Sequence, residues 1–191
     1  MELEADIEAA NAIGLRPLHC AAAAGHDDVV KTLVELKADI EAETAGGWRP
    51  LHYAAAEGHL DVVKTLVELK ADIEAEAADG MRPLHYAAER GHVHVVKTLV
   101  ELKADIEAEN AHSVRPLHCA AAAGHDDVVK TLVELKADIE AADADGMRPL
   151  HWAAEWGHVH VVKTLVELEA DIEAADANGR RPLHLGEADA S

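Results

Sequence analysis

The stretch Arg16–Ala42, RPLHCAAAAGHDDVVKTLVELKADIEA, returns unaltered at Arg115–Ala141. Parts of it return more often. Arg-Pro-Leu-His contains Pro17, Pro50, Pro83, Pro116, Pro149 and Pro182, each 33 residues from the next. Gly-His follows at Gly25, Gly58, Gly91, Gly124 and Gly157. The segment VVKTLVELKADIEA, first at Val29–Ala42, recurs from Val62, Val95 and Val128, and from Val161 with Glu169 in place of Lys. A fixed period of this size is the mark of a solenoid, in which each unit buries its apolar face against its neighbours.

Each unit reads as two helices. The first opens at the Pro, which suits the first helical position because it has no N–H to leave unpaired. It runs through Leu18, Ala21 and Ala22 and stops at Gly25. The second starts near Asp28, whose charge favours a helix N-terminus. Val29, Val30, Leu33, Val34 and Leu36 then give one wide apolar face of helical period. Small Ala on the first helix allows close approach of the backbones. The connector 38–47 is polar and Gly-containing and reads as a turn or hairpin arm.

The unit G-x-R-P-L-H-x-A-A-x-x-G-H-x-D-V-V-K-T-L-V-E-L-x-A-D-I-E-A resembles the ankyrin repeat, whose hallmark is T-P-L-H-x-A-A followed by G-H. The resemblance covers essentially the whole chain. It implies an all-α ankyrin-repeat solenoid of stacked helix-turn-helix units with projecting β-hairpin loops and a concave binding face. It also implies protein–protein recognition rather than catalysis. Residues 1–191 then form one domain. It has a partial unit at 1–13, full repeats at 14–46, 47–79, 80–112, 113–145 and 146–178, and a truncated unit at 179–191. The first and last units lack a helix partner, so the ends are expected to fray or to stack on other molecules.

Three departures from the family pattern are informative. Arg16, Arg49, Arg82, Arg115, Arg148 and Arg181 replace the Thr before Pro. Arg cannot accept an N–H bond and brings positive charge to the positive end of a helix. Lys37, Lys70, Lys103, Lys136 and Glu169 replace the Gly after the second helix, at a cost of about 1 kcal/mol if the backbone stays left-handed there. Ser113 stands where Gly14, Gly47, Gly80 and Gly146 occupy the tight turn, so the fourth hairpin is expected to be less regular.

Most of the variation between units falls at the hairpin tip and along the first helix, which the resemblance places on the concave face, with further differences at the start of the second helix. The tips read Ile13, Gly46, Asp79, His112, Asp145 and Asn178. Every Trp and Tyr falls on these elements, and aromatics and Arg are enriched in binding hot spots. The expected partner-binding residues are Trp48, Tyr53, Glu57, Met81, Tyr86, Glu89, Arg90, His112, Met147, Trp152, Glu155 and Trp156, an exposed aromatic row with charged neighbours. Drift among duplicated units is the alternative. The identity of repeats one and four fits recent duplication and equally a consensus-built, engineered scaffold.

Composition narrows the partner. The net charge of −20 disfavours nucleic acid, whose binding gains from Lys and Arg on phosphates, and anionic membrane surfaces. No apolar run is long enough to span a bilayer. Cys20 and Cys119 lie three periods apart, about 30 Å at ~10 Å per unit, too far for a disulfide. Free thiols fit a reducing, cytoplasmic compartment.

Eleven of the fourteen His belong to Pro-Leu-His or Gly-His strings and read as turn framework. The others, His94, His112 and His160, are too dispersed to chelate, so no metal or cofactor is expected. No nucleophile, base and orienter stand together and no phosphate loop occurs, so no catalytic residue is named. The expectation is a monomeric, non-enzymatic scaffold for another protein or peptide. The alternative is a self-assembling module stacked end to end, or a scaffold with no dedicated partner.

Overall fold

The computed structural model describes residues 6–182. The start of the partial first unit, residues 1–5, and the rest of the truncated last unit, 183–191, lie outside them. The described residues form ten helices: α1 (Pro17–Ala23), α2 (Asp27–Glu35), α3 (Pro50–Ala56), α4 (Leu60–Glu68), α5 (Pro83–Glu89), α6 (Val93–Glu101), α7 (Pro116–Ala123), α8 (Asp126–Glu134), α9 (Pro149–Glu155) and α10 (Val159–Glu167). Odd-numbered helices stack on one another in one layer and even-numbered helices in a second, with each pair joined across the layers. No described helix is long and apolar enough to cross a membrane.

Helices of seven to nine residues are too short to persist alone, since isolated helices need about 12–15 residues even in favourable sequences. Stacking supplies the stability. Leu51, Leu66, Leu84, Leu99 and Leu132 are completely enclosed, as are Val63, Val96 and Val129. Each such side chain contributes about 1.5–3 kcal/mol by leaving water. Ala54, Ala55, Ala87, Ala88, Ala120 and Ala121 are buried where first helices meet, the close approach that small residues permit.

Both helix types end in the same hydrogen-bonded cap. His26 N–H donates to the Ala21 carbonyl (3.0 Å) and Gly25 N–H to that of Ala22 (3.3 Å). At the second helix Ala38 N–H donates to Leu33 (2.9 Å) and Lys37 N–H to Val34 (2.9 Å). This cap needs a left-handed residue after the helix. Gly supplies it at Gly25, but Lys37, Lys70, Lys103, Lys136 and Glu169 adopt it with φ of 70–79°. The left-handed conformation therefore survives the loss of Gly, with its strain.

The Arg before each Pro makes no side-chain cap. Its charge is instead absorbed by carboxylates of the preceding connector. Arg49 pairs with Glu41 (2.6 Å) and Glu43 (3.0 Å), Arg82 with Glu74 (2.6 Å) and Glu76 (3.1 Å), and Arg115 with Glu107 (2.6 Å) and Glu109 (2.9 Å). Arg16–Glu8 and Arg148–Glu140 repeat the pattern. The same glutamates reach the next unit. Glu41 accepts Asp72 N–H at 2.8 Å, and Glu74 accepts Asp105 N–H at 2.7 Å. These pairs are partly exposed, so each contributes at most about 1 kcal/mol.

The connectors expected as projecting β-hairpins are tight turns, with no strand among the described residues. Asn11, Asn110, Asp143 and Asp176 each accept two backbone N–H groups through one side-chain oxygen. Successive tips are joined by Ala45 N–H to Ile13, Ala78 N–H to Gly46, Ala144 N–H to His112 and Ala177 N–H to Asp145, all 3.0 Å. The turn at Ser113 (φ 55°) still closes, through its N–H to Asn110 at 3.0 Å. Ser113 takes the positive φ that Gly14, Gly47, Gly80 and Gly146 take in the other turns.

Candidate functional site

Among the described residues the Pro-Leu-His rings are part of the frame. His19, His52, His85, His118 and His151 are fully enclosed. Nδ1 of His52 accepts Arg49 N–H (3.0 Å) and its Nε2–H donates to the Ala75 carbonyl (2.9 Å). His85 does the same with Arg82 N–H (3.1 Å) and the Val114 carbonyl (3.0 Å). Each ring ties the start of a first helix to the next connector, and so fixes where the tips stand. Burial holds both rings down at about 4, against the ordinary 6.5, because a charged imidazolium would be desolvated. The Gly-His rings serve the other end of the helix. His59 and His92 donate to Ala23 and Ala56 of the preceding unit (2.9 Å each), lying flat on Gly25 and Gly58.

On this frame the twelve expected contact residues separate into two groups and some outliers. Trp48, Tyr53 and Tyr86 form one aromatic cluster, with the Trp48 ring 4.9 Å from Tyr53 and 4.2 Å from Tyr86. Tyr86 is only 5% exposed, and its hydroxyl donates to Asp79 at 3.2 Å. Burial raises the phenol pKa, and the neighbouring Asp79 charge raises it further.

The second group surrounds a groove of about 450 Å³ lined by Met81, Glu89, Asn110, His112, Val114, Cys119, Ala122, Ala123, Trp152 and Trp156. Trp152 is half-buried, with its indole N–H donating to Asp143 at 2.8 Å. Trp156 is 62% exposed. Glu57, Arg90 and Glu155 are exposed beside these features, and Met147 lies beneath the surface.

The aromatic row expected to stand exposed is therefore mostly packed. Met81, Tyr86 and Met147 are buried at 8%, 5% and 7% exposure, because neighbouring units close over them. Trp48, Tyr53 and Trp152 are half-covered, and Trp156 alone among the aromatics stands clear. The groove floor, Val114, Cys119, Ala122 and Ala123, was not among the expected residues. Its signal was a contrast in size, small side chains at positions that are large in both flanking units. Burial pushes the Cys119 thiol up to about 12, with the Glu89 charge adding to the effect, so the floor carries no ionised sulfur near neutrality. Cys20 and Cys119 are both free thiols. No three His, Cys, Asp or Glu side chains converge as a metal site among the described residues.

A family model of ankyrin repeats, in three copies, matches residues 2–77, 69–143 and 140–187. The chain belongs to the ankyrin repeat family. Among curated proteins no sequence matches it. Ankyrin repeats are generally protein-interaction modules and typically non-enzymatic binding scaffolds. In this ankyrin array the groove runs across α5, α7 and α9. It has an apolar floor and wall, with polar groups confined to Glu89, Asn110 and His112.

Proposed function

We propose that this ankyrin array is a monomeric, non-enzymatic scaffold that binds a segment of another protein in the groove between α5 and α9. The groove itself carries the reading: an apolar, open depression bounded by Trp152 and Trp156 on a frame locked by buried histidines. Buried aromatic anchors in such depressions dominate binding energy in protein interfaces. Residues 1–191 are read as one domain, and the free thiols favour a reducing compartment. Of the twelve expected residues, Met81, Glu89, His112, Trp152 and Trp156 form the core of the contact. Trp48, Tyr53, Glu57, Tyr86, Arg90, Met147 and Glu155 extend or support it.

Short random peptides displayed on phage and selected on the chain test this. Replacing Trp152 and Trp156 together by Ala is expected to weaken selected binders by at least about tenfold while the helical circular dichroism of the folded array is kept. Binders indifferent to both changes would sink the reading. Light scattering that shows one mass across a concentration series is the outcome expected of a monomer.

A further inference from the structure

The groove arises from a contrast between units that share nearly the same sequence. On α7 the inward positions are Cys119, Ala122 and Ala123. One period earlier the same positions hold Tyr86, Glu89 and Arg90; one period later they hold Trp152, Glu155 and Trp156. Three small residues thus lie between two walls of large ones, leaving a slot one repeat wide, about 10 Å. The identical residues of the first unit, Cys20, Ala23 and Ala24, have a large neighbour only at Tyr53 and Glu57. There the thiol is exposed, whereas Cys119 is buried. The bracketing, rather than the small residues themselves, makes the slot.

The slot's surroundings are acidic. Glu89 lines it, and Glu155 is exposed on the opposite wall beside Trp156. At the tips Asp79 and Asp145 flank His112. Arg90 is the one Lys or Arg among these equivalent positions, and the chain as a whole carries −20. Charge complementarity selects the partner here and speeds encounter. An acidic segment would meet repulsion on both sides of the apolar floor. A purely apolar segment would leave the rim carboxylates unpaired.

We infer that the groove takes a basic segment of a partner protein, with one bulky apolar side chain seated over Ala122 and Ala123 against Trp156. Lys or Arg on either side of that anchor pairs with Glu89, Glu155 and the tip carboxylates. This rests on the groove being the binding site, as proposed above, and adds the chemistry of its occupant.

The phage-selected peptides decide it. They are expected to share one bulky apolar residue flanked by Lys or Arg. Synthetic copies should lose at least about tenfold in affinity with the slot-filling pair Ala122→Leu and Ala123→Leu. They should lose a similar factor with Glu89→Gln and Glu155→Gln, and with the Gln pair the salt dependence should flatten, since exposed charge pairs are screened by salt. The Gln changes are at exposed sites and preserve the fold, so they remain informative if the Leu pair does not fold. Peptides that respond to slot filling but lack basic residues, and ignore the Gln pair, overturn the inference and leave groove binding intact. Peptides that ignore both pairs overturn the inference and the binding site together.

Discussion

A buried Pro-Leu-His ring has both nitrogens committed. Nδ1 accepts the Arg N–H and Nε2–H faces a carbonyl, so only the neutral tautomer fits. Protonation would place a hydrogen where the Arg N–H already points. His52 and His85 are held at about 4 by burial, and His19 and His118 are lowered for the same reason. The folded value thus lies below the unfolded value of about 6.5. The neutral rings lend their full stability above about pH 6.5, and it is lost as pH falls toward 4, where the unfolded chain takes up protons first. His52 and His85 each account for up to about 3 kcal/mol over that window. Urea unfolding should show stability falling between about pH 7 and pH 5, with the NMR ring shifts of His52 and His85 still those of neutral Nε2–H imidazole. Protonated rings in the folded state near pH 5 would refute this. That these histidines belong to the frame is readable from their strict period. Their acceptors are not, because the carbonyls lie 23 to 29 residues downstream and are brought close by the next unit's turn.

The second helix of each unit ends on a residue that its geometry does not suit. Lys103 sits at φ 79° within a cap whose hydrogen bonds, Ala104 N–H to Leu99 (2.9 Å) and Lys103 N–H to Val100 (3.0 Å), are intact. A side chain at positive φ costs about 1 kcal/mol against Gly. Lys103→Gly is therefore expected to stabilise the chain by about 1 kcal/mol, raising the melting temperature by roughly 2–4 °C for a chain of this size. Lys70→Gly in another unit should add nearly independently. Lys103→Ala should give no such gain, because Ala keeps the Cβ, and a gain equal to that of Gly would overturn the account. The first helices show the complementary case. At Gly58 (φ +75°) a Cβ would lie 2.5 Å from the His92 ring, so conformation and space both call for Gly. The helix pairs and their punctuation are legible in the sequence because the period repeats the same apolar and turn signals. The role of the Arg is not, since its Glu partners become neighbours only when the connector folds back.

Across the whole array, residues of one identity take different environments, and this is where sequence reading of the candidate site falls short. Variation between units marks elements that line the groove. It does not reveal that Tyr86 and Met81 are covered, nor that Ala122 and Ala123 floor a groove, because both depend on the side chains of the adjoining units. The duplicated stretch isolates that dependence. Val29 and Val128 lie in identical sequence, Arg16–Ala42 and Arg115–Ala141, and so share helix propensity, capping and local unfolded-state preferences. Val29 is 47% exposed and Val128 fully enclosed, packed in an array where α8 lies between α6 and α10. A repeat array is stabilised by each unit and by each interface between neighbours. Val→Ala leaves the unit's own term nearly equal at the two sites, so the difference between them reports the interface. Val128→Ala is expected to cost about 2 kcal/mol, the loss of buried methyl groups plus an unfilled cavity. Val29→Ala should cost about 0.5 kcal/mol or less, as at ordinary surface sites. Urea denaturation followed by helix circular dichroism separates the two values. Equal costs would mean that the helices are held mainly by their own pairs, and would remove stacking as the main source of stability.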